Sequence, residues 1–472
     1  MLNNPPPLRA GVDSDPFLHG TLGRRLRLVV DDESVGQSLA VQVLEQLGHR
    51  PSARVHWTRR PAPGRVTLGS PVPQRDFIPA LIEDGDDAIE TAIPAASRIR
   101  ERSEALAREH GVDVSQAERL LRLATLSRTG RLVDATVVGE TVLLSPPFDR
   151  QLLPHCLTPR EAVALLGLNL RAHGDFAVSR GDSTTRLIGA ARFYRAVAFQ
   201  QVVGLDTWIG AAVTRWLQER HRPLTLVDGV ATRIGRAFRA RDFLQVRLRA
   251  PDYEIVWDEV LFFFDVVLVQ AMGALDLLAR LLHDIYALEG SARRPSWRSR
   301  RGDGWVSELE RAAPEIAAVA GPGQPLGDIV DLVAELRNVI HDAPLSEEIH
   351  DPDGAPGIDV WGPGLIALEP SDPVDIMLAA AERRDGLVSW GVSDRRPDGA
   401  VVLDPGLFAE QALRACTAAL SDVLALADHH RLSGALAADI SMWVPTQGDR
   451  ENAAVLFGLA RGGLRQDRVT FA

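Results

Sequence analysis

The residues of this chain best suited to chemistry lie in 336–342, where an arginine, an amide and a histidine end an apolar helical repeat. Arg337 and His341 are four positions apart, about 40° around a helix that turns ~100° per residue. Asn338 lies three positions before His341. The three side chains therefore reach one stripe beside the buried seam. An imidazole takes or gives a proton near neutral pH. A guanidinium holds a phosphate through two hydrogen bonds and offsets charge that builds on it. An amide donates and accepts, and so orients ring or substrate. Together they can support attack of a ribose 2′-hydroxyl on an RNA phosphodiester without a metal, with His341 moving the proton. The competing reading is structural, because cations near a helix C-terminus suit its dipole and cap its last carbonyls.

Other clusters are less specific. Arg293, Arg294, Arg298, Arg300 and Arg301 surround Trp297 between two helical stretches. Such a loop is either a solvated linker or a single-strand RNA contact of cations and an aromatic ring. Arg233, Arg236, Arg239, Arg241, Arg247 and Arg249 are dense within 228–256. They form either a solvated surface or a phosphate-contacting face. His341, Asp342, His350, Asp351 and Asp353 have metal-ligating types, but Pro344, Pro352 and Gly354 mark a surface loop of solvated acids, so no metal is expected. His429 and His430 have no paired ligand at helical spacing. There is no GxSxG elbow.

Composition excludes several classes. All 52 basic residues are arginine; without lysine there is no P-loop, no pyridoxal Schiff base and no protein-kinase strand lysine. The net charge of −11 argues against a coat for non-specific duplex binding. Cys156 and Cys416 are far apart and form no CxxC, so reduced thiols are expected. No cofactor is called for. Residues 1–8 are polar and proline-rich, which predicts no secretory leader. The apolar run 260–282 is interrupted by Asp265, Gln270, Asp276 and Arg280, and reads as a buried helix rather than a membrane span. The expected location is cytoplasmic.

These residues need a scaffold, and 472 residues predict two or three domains. The expected division is an irregular strand–helix segment over 1–75 and a helical module with a β-hairpin over 76–230. A helical bundle over 231–435 follows, with a turn-rich insertion near 346–406, and then a tail over 436–472. Helices are predicted over 79–109, after the capping box at 115–118, from Thr158, over 182–221, 257–288, 305–320, 326–343 and 407–431. Gly290 is expected to close the 257–288 helix. Residues 132–138 and 141–144 around Gly139 suggest the hairpin. Residues 364–368, 387–392 and 400–403 read as strands.

Two resemblances follow. Arg27–Glu33 and the amphipathic stretch to Gly48 resemble the opening strand and helix of a response-regulator receiver, a family in which an acidic pair holds Mg²⁺ beside a phosphoacceptor Asp. Residues 51–73 contain no Asp, which leaves an ordinary strand–helix unit. Arg337-Asn338-Val339-Ile340-His341-Asp342 resembles the motif of HEPN domains, an Arg followed by a polar residue and then a His. The apolar helix carrying Asp276 and Arg280, and the closing helix, extend the likeness over about 252–432. It implies an all-α bundle that dimerises and joins two motifs in one cleft. Many members are metal-independent endoribonucleases of toxin–antitoxin, abortive-infection or CRISPR systems. Carried over, Arg337 binds phosphate, Asn338 assists and His341 is catalytic. Here three residues separate Arg from His, where the family has at least four; this turns the two groups by about 100°. The expected fold is therefore mainly α, a HEPN-like bundle with a β-rich insertion plus an N-terminal α+β or helical module. The expected function is RNA cleavage by a homodimer in defence or stress, with an antitoxin-like partner; the alternative is a non-catalytic RNA-binding or dimerisation module.

Overall fold

The computed structural model describes residues 26–48, 50, 52–58, 66–68, 77–84, 87–94, 96–129, 133–144, 148, 153, 156–176, 189–218, 221–248, 253–289, 295–297, 305–321, 323–342, 346–348, 365–393, 395, 399–433 and 439–457. Of those within 66–98, 125–129, 144, 253–256 and 341–348 it describes the backbone. The chain is mainly α, with small sheets.

The N-terminal elements are β1 (Leu26–Val30), α1 (Leu39–Leu47), β2 (Ala53–Trp57), β3 (Val66–Leu68), β4 (Phe77–Asp84) and β5 (Asp87–Pro94). There follow α2 (Ala96–His110), α3 (Val114–Thr129), β6 (Ala135–Val137), α4 (Glu140–Leu144), β7 (Cys156–Leu157) and α5 (Pro159–Ala172). Strands β2-β1-β6-β7 form one parallel sheet in that order. A parallel sheet is covered on both faces, and strand side chains alternate between faces. Leu26, Leu28 and Val30 accordingly enter one core with α1 and α5, while Val29 enters a second with Ile99, Leu120 and Leu123 of α2 and α3. Asn169 of α5 donates to the Ser52 carbonyl at 2.8 Å and ties that helix to β2.

This sheet overturns several expectations. The N-terminal module mixes helices with strands, as one parallel layer covered on both faces and one antiparallel sheet, β3-β4-β5. Pairing of β1 with β6 runs across the boundary expected between 75 and 76. The hairpin expected around Gly139 is absent: β6 lies parallel to β1, and the second arm is α4. The front half of the helix expected over 79–109 is the β4–β5 hairpin, with Asp84 opposite Asp87 across a two-residue loop.

The remaining elements are α6 (Ala190–Gln201), α7 (Leu205–Leu217), α8 (Arg222–Arg247), α9 (Tyr253–Ile285), α10 (Trp305–Ala312), α11 (Pro314–Ala320) and α12 (Pro325–Asp342). Then come β8 (Ser346–Glu348), β9 (Leu365–Leu368), α13 (Asp372–Arg384), β10 (Val401–Leu403), α14 (Pro405–Leu426) and α15 (Gln447–Leu456). Helices α8 and α9 form the main pair; α12 and α14 pack on α9, and α13 packs on α12. Helix α9 from Trp257 is long and apolar enough to cross a bilayer, but its Phe264, Leu268, Leu275 and Leu282 are buried against protein.

Helix ends follow local chemistry. Gly204 (φ +94°) separates α6 from α7 at a bend of 110°, within what read as one apolar stretch. Pro314 breaks the predicted 305–320 helix into α10 and α11. Helix α9 closes before Gly290, on Ala287 at φ +49°, with Leu288 N–H donating to the His283 carbonyl at 3.1 Å. The insertion contains α13, unforeseen, besides the expected strands β9 and β10; 387–390 is a 3₁₀ turn rather than a strand.

The boundary expected at 230/231 falls inside α8, and the two halves share one core. Asp242 of α8 fastens them. It accepts from Arg171 Nε (2.6 Å) and Nη2 (3.0 Å), Arg241 Nη1 (2.8 Å) and Tyr194 Oη (2.6 Å). Arg241 Nε also lies 3.0 Å from Glu410 of α14, an ion pair without hydrogen-bond geometry. All five groups are buried. The described part of the expected tail, 439–457, likewise belongs to the fold: Arg192 pairs with Asp449 and Arg450 with Asp206. A Cβ on Gly167 would fall 2.1 Å from the Leu456 carbonyl, so that close approach of α5 requires glycine.

Candidate functional site

The motif lies in the last turns of α12, whose Ile329, Leu332, Val333 and Leu336 are buried. Arg337 and Asn338 are half-buried at the edge of that seam. Among the described residues Arg337 makes no ion pair, and its Nε has no hydrogen-bond partner. Asn338 Nδ2 donates to Glu335 Oε2 at 2.9 Å. Helix geometry puts His341 one turn beyond Arg337; its side chain lies outside the described residues. On α9, Asp265, Asp276 and Arg280 are half-buried, and Asp265 Oδ1 and Arg280 Nε lack hydrogen-bond partners among the described residues.

The basic loop divides. Arg293, Arg294, Arg298, Arg300 and Arg301 lie outside the described residues. Trp297 is not a stacking platform, because its ring is 0% exposed. Its Nε1 donates to the Leu275 carbonyl at 2.8 Å, and it meets Trp305 edge-on at 5.0 Å. An indole with that much apolar area is worth more in the core than on a surface. The arginines of α8 are also partly spent within the fold: Arg241 is buried on Asp242, Arg247 pairs with Glu259, and Arg239 lies over the Phe243 ring. Arg249, His350, Asp351 and Asp353 lie outside the described residues, among which no metal-holding cluster occurs.

The parallel sheet has its own candidate. Doubly wound sheets bind ligands where strand order reverses, at the carboxyl ends of the strands. Here that point lies between β1 and β6. Asp31 there is 0% exposed and 3.1 Å from Arg119 Nη1, and Glu33 also pairs with Arg119. The crevice is closed: Gly139 N–H donates to Ser34 Oγ at 3.0 Å, and a Cβ on Gly139 would fall 2.1 Å from the Ser34 carbonyl. The strand corresponding to a receiver's phosphoacceptor strand, β6, ends in Val137-Val138-Gly139 with no carboxylate.

A cleft of about 550 Å³ that the sequence did not disclose opens at one end of the bundle. Arg215 of α7, His221 and Arg222 at the start of α8, His283 and Asp284 at the end of α9, and Arg431 line it. Arg222 Nε pairs with Asp284 at 2.9 Å, and Arg431 lies 4.6 Å over the Tyr286 ring. Burial raises the Asp284 carboxyl, with Arg222 and then His283 opposing it. His283 is 6% exposed and its Nδ1 has no hydrogen-bond partner among the described residues. These residues are scattered over more than two hundred positions at no helical spacing. Only the His-Arg-Pro start of α8 and the His-His-Arg turn hinted at them.

Comparison with family models, with curated proteins and with solved structures returns no match.

Proposed function

We propose that the chain is a HEPN-like, RNA-directed protein of bacterial defence or stress response, in which Arg337 holds phosphate and His341 moves a proton at a site shared by two protomers. One observation carries this reading. The Arg-Asn-x-x-His run ends a bundle helix, and its arginine is not consumed by any described ion pair. A half-buried guanidinium without a carboxylate is disposed to take a phosphate.

The test is cleavage of single-stranded RNA in chelator by the purified chain and by His341→Ala. General acid–base chemistry contributes roughly 10²–10⁴-fold, so the variant should lose at least a hundredfold in rate with its melting temperature kept. Full cleavage by His341→Ala sinks the proposal.

The geometry of Asn338 favours a second reading, a module that binds or dimerises without cleaving. Its amide is engaged by Glu335, which places a carboxylate beside the phosphate-holding stripe. Tight RNA binding without cleavage, lost in Arg337→Ala, would select that reading.

A further inference from the structure

The cleft between α7, α8, α9 and the 429–431 turn has the composition of an anion site. Three guanidiniums and two imidazoles face one carboxylate, in a chain whose net charge is −11. Such a concentration of cations in a concave wall focuses positive potential. Asp284 is already held by Arg222; outside the lining, Arg431 Nε lies 3.8 Å from Asp428 and Arg215 Nη1 donates to Gln218 Oε1 at 3.2 Å, so among the lining residues these two guanidiniums face no other acid.

Three features narrow the ligand. The α8 N-terminus opens on the cleft with no side-chain cap; Pro223 has no N–H, but the Arg222 and Leu224 N–H groups and the helix dipole add to the attraction for an anion. His283 lines the same wall, nine-tenths buried, with Nδ1 lacking a partner among the described residues. A buried imidazole nitrogen left unpaired is costly, and an oxyanion or its hydroxyl would satisfy it. Finally, the His221 ring packs edge-on at 5.8 Å against Trp216, which is 37% exposed and in turn meets Trp443 at 6.2 Å. An aromatic wall thus adjoins the cationic floor. A volume near 550 Å³ falls in the range of small-molecule sites.

We infer that this cleft binds a phosphate ester of nucleotide size, with Arg215, Arg431 and the α8 N-terminus on the phosphate and Trp216 beside the planar base. A concave site walled by three helices and a turn suits a small molecule better than a polymer. No residue of α12 lines it, so it is distinct from the Arg337 stripe.

The test uses the full-length chain, with adenosine 5′-monophosphate, inorganic phosphate, adenosine and a short single-stranded RNA as separate probes. Binding is read by calorimetry and tryptophan fluorescence. The nucleotide should bind saturably at one site, phosphate more weakly, and adenosine not at all. Arg215→Ala, at a half-buried position, and Arg431→Ala, at an exposed one, should each weaken the nucleotide by roughly ten- to a hundredfold, the size of a lost charge-assisted hydrogen bond. Arg337→Ala should leave nucleotide affinity unchanged, which separates this site from the RNA reading. No nucleotide binding at millimolar concentration would overturn the inference. So would adenosine binding as well as the nucleotide, unaltered affinity in both arginine variants, or a dependence on Arg215 and Arg431 seen with RNA alone.

Discussion

Asp242→Asn is the perturbation with the largest calculable effect. The carboxylate accepts four buried hydrogen bonds from Arg171, Arg241 and Tyr194, at 2.6–3.0 Å. Arg241 would retain Glu410 at 3.0 Å, whereas Arg171 would lose its only described acidic partner. Removing one partner of a buried pair leaves an uncompensated charge and costs about 3–5 kcal/mol. The urea slope grows with chain size, to about 3 kcal/mol/M or more here, so the unfolding midpoint should fall by up to roughly 1–2 M. A fall under about 0.3 M would refute the idea that this cluster fastens the two halves.

The pH dependence gives an independent check. Burial alone would raise Asp242, but Arg171 and then Arg241 outweigh it and hold the carboxyl below its ordinary value. A depressed carboxyl stabilises the fold above its unfolded pKa, near 4, and loses that contribution as pH falls toward the folded value. The gap between wild type and Asp242→Asn should therefore narrow below about pH 4. Glu410 has the opposite sign. Burial raises it, against the pull of Arg241 and with Asp242 adding to the rise. Its contribution is present at low pH and lost as pH rises past its unfolded value. At pH 7, Glu410→Gln should thus cost less than Asp242→Asn, although both carboxyls are buried.

Three further outcomes are expected. Ala287→Gly relieves an alanine held at φ +49° and should stabilise by about 0.5–1 kcal/mol in denaturant melts; destabilisation would contradict the αL closure of α9. Burial pushes the Cys416 thiol up to about 12, so at pH 8 it should resist a thiol reagent until the chain unfolds, and rapid labelling of Cys416 in the native state would refute its burial. Trp297→Phe removes the donor to the Leu275 carbonyl and should cost about 1 kcal/mol without altering RNA affinity, whereas weakened RNA binding at unchanged stability would restore the stacking reading.

Much of the helical framework was legible because its signals are local. The Thr158 capping box and the 3–4 repeat of α12 are contained within one element, and both helices form. The failures share a different cause. Strand β6 is three residues long and gains its state from β1, more than a hundred positions earlier, so no window around Gly139 could distinguish it from a hairpin arm. Helix α13 carried its start signals, Ser371 and Pro373 with acidic residues in the first turn. The flanking glycines and prolines of the insertion outweighed them. The motif on α12 was visible as three residue types in one turn. The terminal cleft was not, since packing alone assembles it from three distant stretches, 215–223, 283–288 and 431–432. Trp297 shows the converse limit: a ring amid cations suits either a linker or an RNA contact, and its apolar area instead buries it in the core.

The shared core bears on how the molecule opens. Leu28 and Val30 of β1 belong to the same buried cluster as Phe264 and Leu275 of α9 and Leu413 of α14. The Arg171–Asp242 link lies within that cluster, between α5 and α8. Independent domains open at separate free energies, whereas elements of one core open together. Native-state hydrogen exchange should therefore find the amides of Leu28 and Val30 converging, with rising denaturant, on the same opening free energy as those in the middle of α9. The sheet's other face rests on a smaller second cluster under α2 and α3. Those helices can open at lower energy, uncovering Val29 while Leu28 and Val30 stay packed in the main core. If β1 instead exchanges with α2 and α3 while α9 stays closed, the N-terminal layer is a separate unit, and the buried charge cluster is a seam between domains rather than part of one core.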